Sequence, residues 1–348
     1  MRPCGTFDVN YEQDLRIVRT PAQRAWAIVG LIFLLCFPSF AGSYWLSVVS
    51  IIAITVICVQ GLNFLTGYCG QISLGQAAFM AVGAYTSGIF TNKLGLPFLV
   101  ALPSAGIMAG VIGLIFGLPA LRIKGFYLAM STLAAQFIIV WVIKHLDITG
   151  GTTGMTVVPA SIGALSFASR RAYYYVILIV MLVMLYFAKN LARTRVGRAW
   201  IAIRDNELAA QIMGVNIYYY KLLAFFICSF YAGIAGSLWA HYLTVIHPDH
   251  FVLMNSIWYL GMIIVGGMGS ITGTIFGVIF IKFLDESAAS LAPALAVMFP
   301  AVSATIAASL GLMFFGLVII LFLIFEPRGL YHRWEIFKAW YRLHPFSY

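Results

Sequence analysis

Residues 25–92 read AWAIVGLIFLLCFPSFAGSYWLSVVSIIAITVICVQGLNFLTGYCGQISLGQAAFMAVGAYTSGIFTN, without one Asp, Glu, Lys or Arg. A bilayer core needs about 20 apolar helical residues per crossing. This stretch therefore predicts three spans, over about 25–41, 44–65 and 76–91, parted by a short Gly-Ser junction and a longer glycine-rich one. Residues 26–41 lack a clear small-residue cleavage site and are followed by more spans, so they read as a retained span rather than a secretory signal. Further charge-free runs extend over Leu94–Leu121, Gly125–Ile143, Ala172–Ala188, Leu222–Pro248, His250–Ile281 and Ser287–Phe325.

The whole chain of 348 residues is 62% apolar and 9% charged, against about 45–50% and 25% in a soluble domain. The net charge of +10 does not point to nucleic acid, because the basic residues sit in the gaps between apolar runs, where cytoplasmic loops collect Lys and Arg. Cys4, Cys36, Cys58, Cys69 and Cys228 form no CxxC or CxxH pair, which predicts neither a disulfide nor a metal site.

Positive charge gathers in four places: Arg2, Arg16, Arg19 and Arg24; Arg122 and Lys124; Lys189 to Lys221; and Arg328, Arg333, Lys338 and Arg342. Placing all four inside requires an even number of crossings between them. Four, two and four crossings satisfy this, with the later spans at about 97–120, 126–143, 172–188, 222–245, 254–266, 271–284 and 302–325. The expected fold is an all-α polytopic membrane protein of about ten transmembrane helices. Residues 1–24 form a cytoplasmic N-terminal segment, 25–325 the transmembrane domain with a cytoplasmic loop at about 190–221, and 326–348 a cytoplasmic tail. Ten spans split into two fives around an outer loop, Thr149 to Arg171. Five is odd, which is the arithmetic of an inverted repeat.

Each half also carries a glycine-rich break, read as lying before its third span: Thr66 to Gln76, and Gly266 to Gly273. Paired breaks in two halves point to a substrate path, because irregular backbone at membrane depth needs protein or water to satisfy it. They nominate Gln71, Ser73, Gly75, Gln76, Gly266, Gly267 and Gly269, with Gly150 and Gly151 of the outer loop. Gly106-xxx-Gly110, Gly113-xxx-Gly117 and Gly273-xxx-Gly277 have the spacing of close helix packing instead.

Catalytic motifs are missing. No Walker A sequence, HExxH, GxSxG or ordered carboxylate pair occurs, so no catalytic residue and no cofactor is assigned. Asp147, Asp249, Asp285 and Glu286, with His145, His247 and His250, fall near span ends on the outer side and read as solvated loop residues, the alternative being a vestibule that meets a partner or substrate. Lys282 alone reads as lying inside a span, with room to snorkel.

In the loop Lys189 to Lys221, apolar residues recur at three- and four-residue spacing from Trp200 to Met213, predicting a short amphipathic helix ending near Gly214. Its expected contact face carries Ile203, Ile212 and Met213, with Ala209 and Ala210 allowing close approach and Arg198, Arg204, Asp205 and Glu207 at the rim. Glu207, Ala209, Ala210 and Gly214 resemble the coupling loop of ABC importer permeases, with Gly214 one residue further from the Glu than in the general pattern. The competing use is a surface helix holding anionic membrane lipid through Arg195, Arg198 and Arg204.

A wider resemblance runs along nearly the whole chain. Gly61-Leu-Asn63, Thr66-Gly67, Gly70-Gln71-Ile-Ser73-Leu-Gly75, Thr149-Gly150-Gly151, Arg198-Ala199, Ala202-Ile-Arg204, Gly214, Pro248-Asp249-x-Phe251, Ser256-Ile257, Gly266-Gly267-x-Gly269-Ser270 and Glu326-Pro327-Arg328-Gly329-Leu330 together resemble the branched-chain amino acid permease family, LivM type. Gln76 stands where that family often has His. The resemblance implies a permease of the inner (plasma) membrane working with a homologous second permease, two ATP-binding subunits and a periplasmic substrate-binding protein. It leaves open branched-chain or other apolar amino acids, urea, short amides or small carboxylates as cargo. A stand-alone carrier or channel, and a membrane-embedded enzyme, are the competing classes.

Overall fold

The computed structural model describes residues 21–120, 125–162, 165–167, 169–298, 303–326 and 328–343. Expectations placed on residues 1–20, on Arg122 and Lys124, and on Pro327 lie outside the described residues. The chain is helical almost throughout: α1 Pro21–Phe40, α2 Ser43–Leu62, α3 Gln76–Asn92, α4 Phe98–Ala120, α5 Phe126–His145, α6 Arg170–Arg193, α7 Arg195–Asp205, α8 Glu207–Ile212, α9 Ile217–Leu243, α10 Leu253–Gly266, α11 Ile271–Met298, α12 Ser303–Phe325 and α13 Gly329–Leu343. Two-residue strands pair Met155–Thr156 with Val245–Ile246, and Ser161–Ile162 with Leu165–Ser166.

A helix stands at each of the ten expected positions. Six of those described are long and apolar enough to cross a membrane: α2 with the π-turn Asn63–Tyr68 that extends it, α4, α5, α6, α9, and α10 with the turn before it; a bent pair over α12 and α13 makes a seventh. The others fall short for readable reasons. α3 is rich in Gly, Ala, Ser and Thr and is buried along most of its length. α11 carries Lys282, Asp285 and Glu286.

Helices α2 and α9 form the centre. α9 packs on α3 and α4 of the first half, α2 packs on α10 and α11 of the second, and the two central helices touch each other. Glycine makes the first contact close: a Cβ on Gly83 would overlap Gly233, and one on Gly236 would overlap the Met80 carbonyl. The Gly106–Gly117 ridge of α4 receives Phe225, Phe226, Ser229 and Phe230 of α9. Small residues let backbones approach where no hydrophobic effect separates protein from lipid.

Two corrections follow. The second glycine break lies between α10 and α11, the third and fourth helices of its half, whereas the first lies between the second and third helices of its own. The breaks are therefore not at matching places in the repeat. Asp285 and Glu286 do not end a helix, because α11 continues unbroken to Met298.

Candidate functional site at the junction of the two breaks

The two breaks meet each other. Asn63 reaches across from the π-turn after α2, accepting from Gly269 N at 2.9 Å and donating to Ser270 O at 3.3 Å. Gly67 lies against Gly269 so closely that a Cβ would strike both that backbone and the Asn63 side chain. Arg204, at the end of α7, donates to Gly67 O at 2.9 Å. Gly269 holds φ at 77° and Gly267 at 114°, conformations that favour glycine. Gly267 faces the backbone of Arg328 and the side chain of Tyr331, and Gly266 packs on Gly273 and Gly277. Backbone of both breaks, the loop helix and the start of α13 thus converge at one end of the bundle, the loop end.

The start of α3 sits inside the bundle, where its free N–H groups need partners. Ala77 N donates to Ser256 Oγ of α10 at 2.9 Å, and Ala78 N to Gln136 Oε1 of α5 at 2.8 Å. Gln136 Nε2 in turn donates to Phe251 O at 2.7 Å. Leu74 N donates to Thr132 Oγ1 at 3.0 Å. Side chains from two other helices, α5 and α10, therefore cap a helix whose own sequence supplies no cap. Ser73 is fully buried, and its Oγ accepts from Gly75 N at 3.4 Å. Gln76 is fully buried between α2 and α9: its Nε2 donates to Cys58 O at 2.8 Å, and its Oε1 accepts from Cys228 Sγ at 3.1 Å. Its amide is committed to packing. Gln71 Oε1 is buried without a hydrogen-bond partner. Gly150 and Gly151, both at positive φ, lie in the loop after α5, at the other end of the bundle. There the turn is tied by Lys93 Nζ donating to Ile148 O at 3.0 Å. The structure thus brings Gly67, Gly267 and Gly269 together and sets Gly150 and Gly151 apart.

The loop between α6 and α9 departs from the expected single helix. Asn206 leaves helical geometry at φ −159° and its Oδ1 accepts from Ala209 N, starting a second helix as N-cap asparagines do. Gly214, at φ 83°, ends that helix. The expected faces are also redistributed. Trp200 and Ile203 are buried, Trp200 against Phe64, with its Nε1 donating to Tyr220 O at 2.8 Å. Ala210 is buried too, at 3% exposure, so it faces the bundle and not a partner. Glu207 is no rim residue, because it pairs with the buried Lys221. Arg198 is exposed and donates to Arg193 O at 3.4 Å, and Arg204 pairs with Asp205 at 3.1 Å. What remains outward is Ala209 with Leu208 at 69%, Ile212 at 86% and Met213 at 83% exposure. Asn63 and Ser256 carried the family resemblance without a structural role assigned to them, and Gln136 was missed. Their signal was there, since each is a polar side chain within an apolar run.

A polytopic helical bundle with irregular backbone at a helix junction, and an anchored loop helix beside it, defines a membrane transport subunit. The chain belongs to the family described as branched-chain amino acid transport system / permease component, whose pattern matches residues 43–324. It is 30% identical to the high-affinity branched-chain amino acid transport system permease protein LivM of Escherichia coli, over 77% of this chain and 69% of that protein. It is 26% identical to the probable branched-chain amino acid transport permease protein LivM of Methanocaldococcus jannaschii, over 77% and 88%. The ribose import permease protein RbsC of Haemophilus influenzae is 24% identical, over 75% and 84%. No solved structure matches the chain.

Proposed function

We propose that this chain is the membrane-spanning subunit of an ABC importer, passing branched-chain or other apolar amino acids delivered by a periplasmic binding protein. In this reading ATP hydrolysis resides in two separate ATP-binding subunits, and a homologous second permease completes the pore. Both termini and the loop end face the cytoplasm, with residues 1–24 and 326–348 flanking a transmembrane domain over 25–325. Gln71, Ser73 and Gly75 border the path at the first break, with Gln76 behind them holding α2 to α9, Gly266, Gly267 and Gly269 close its inner side, and Gly150 and Gly151 shape the outer mouth.

One observation carries the coupling role. Leu208, Ile212 and Met213 are exposed on a short helix that is held from behind by Ala210, by the Glu207–Lys221 pair and, through the preceding helix, by the Arg204–Gly67 bond. A mobile lipid anchor would not need such fastening, whereas a lever transmitting ATPase movement to the junction of the breaks does. Ala209 and Gly214 permit close approach, and Arg198 and Asp205 set orientation at the edge. Exposed ion pairs contribute only about 0–1 kcal/mol, so the apolar trio dominates. The test is the double variant Ile212→Asp, Met213→Asp, with Arg195 and Arg198 neutralised in a second protein and Arg204, which holds the loop to Gly67, left in place. The first should lose at least ten-fold in co-purifying ATPase while its thermal stability is unchanged, and the second should keep it. Normal ATPase recovery with the first variant would sink the docking role, and loss confined to the second would establish lipid anchoring.

A further inference from the structure

A cavity of about 200 Å³ lies between the two halves, bordered by α2 and α3 of the first and α9, α10 and α11 of the second. It is smaller than the roughly 300–1,000 Å³ of drug-sized sites, which suits one small metabolite. Two of its lining residues are Lys282 and Asp285. Counting about 1.5 Å per residue from Ile271, they stand ~16 and ~21 Å from the loop end of α11, and so well along the helix from the junction of the breaks. Ionisable residues inside a membrane bundle mark ligand or ion paths. Three residues apart, they share one face of the helix with Cβ atoms about 5–6 Å apart. Among the described residues neither the ammonium nor the carboxylate makes a hydrogen bond or an ion pair. Gly311 of α12 leaves the Asp285 carboxylate its space: a Cβ there would lie 3.3 Å from Oδ1.

The remaining walls are of two kinds. Trp239, Trp258 and Tyr259 present rings, and Met80, Met262 and Ile51 present apolar chains. The walls are held in place: Trp258 stacks on Phe315 at 4.1 Å, and Tyr259 Oη approaches Met80 Sδ at 3.4 Å. Asn255 gives one amide hydrogen to His250 O at 2.7 Å, which leaves its Oδ1 as an acceptor. Thr55 donates to Ile51 O at 2.8 Å.

We infer that this cavity is a zwitterion site in the translocation path, with Lys282 receiving the carboxylate and Asp285 the ammonium of an α-amino acid while the aromatic and thioether wall takes an apolar side chain. The inference rests on the importer reading above. Its selectivity is electrostatic. A free carboxylate would meet Asp285 uncompensated and a free amine would meet Lys282 uncompensated, whereas a zwitterion neutralises both.

The experiment uses the complete importer in proteoliposomes, with leucine, 4-methylpentanoate and 3-methylbutylamine as probes. Lys282→Met and Asp285→Asn should each lower leucine uptake at least ten-fold with subunit assembly intact, and Lys282→Arg should restore most of it. In a parallel measurement on purified Asn255→Cys importer without binding protein, leucine should slow alkylation of the new thiol at least three-fold, and neither single-charge analogue should. Wild-type uptake by both charge variants, or equal protection by all three probes, overturns the zwitterion site and leaves the importer reading standing. A wild-type complex that assembles but takes up no leucine overturns the amino acid reading instead. Where a charge variant fails to assemble, the alkylation result decides.

Discussion

The two central helices do the same job with opposite outcomes. Where α9 crosses α3 and α4, the backbones nearly touch: glycines on α3, α4 and α9 bring them together, and Phe225, Phe226 and Phe230 seat in the α4 ridge. Where α2 crosses α10 and α11, the contact is pinned at the loop end by Asn63 on Gly269 and Ser270 and opens further along into the Lys282–Asp285 cavity. One interface is built to stay shut, and the other is hinged at one end around a polar void. Dense packing resists deformation, so the α2 side is where a bundle driven from the loop end is free to change shape.

The comparison breaks most visibly at the closer interface. Gly236→Leu would force a side chain into the Met80 carbonyl. Overpacking a core ordinarily costs about 1–3 kcal/mol, and here backbone rather than a side chain would have to yield. Loss of monodisperse protein in size-exclusion chromatography is expected, whereas Gly30→Leu, with open space around it, should elute like the parent. A well-behaved Gly236→Leu protein would show that the α3–α9 contact is not close-packed.

A smaller effect is expected at the hinge. Asn63→Ala leaves Gly269 N and Ser270 O without their partner, and an unsatisfied buried group costs about 1–3 kcal/mol. The melting temperature should fall by a few degrees, and a cysteine placed at Ser270 should become faster to alkylate. An unchanged alkylation rate would mean that Asn63 does not pin the two breaks. Smallest is the outer surface. Lys144 and Asp249 form an exposed ion pair at 2.8 Å, and Asp249→Asn should leave melting and assembly unaltered, because such pairs are screened by solvent. A clear loss of stability there would move the rigid part of the molecule outward.

The helix positions were legible because charge is so scarce that its few occurrences mark the gaps between spans. The same rule misled at α11. Asp285 and Glu286 read as the end of a span, since hydropathy counts a charge as solvent wherever it falls, yet the helix runs past them to Met298. In the loop, periodicity found an apolar face but could not say which side was inward. Ile212 and Met213 are exposed as a docking face requires, while Ile203 and Ala210 of the same pattern are consumed by the bundle. Asn206 was an available stop signal within that segment and was passed over in favour of the apolar spacing.

The sequence by itself determined that this protein is a helical membrane bundle, where its helices lie, and that glycine interrupts it twice, because the cost of placing polar groups in hydrocarbon acts on local composition alone. Only the tertiary structure decided that the two interruptions touch through Asn63, that Arg204 closes on them, and that Lys282 and Asp285 share a cavity with three aromatic rings. Those are contacts between segments as many as some two hundred residues apart. Such pairings are set by which faces pack together, and no local rule of spacing contains that information.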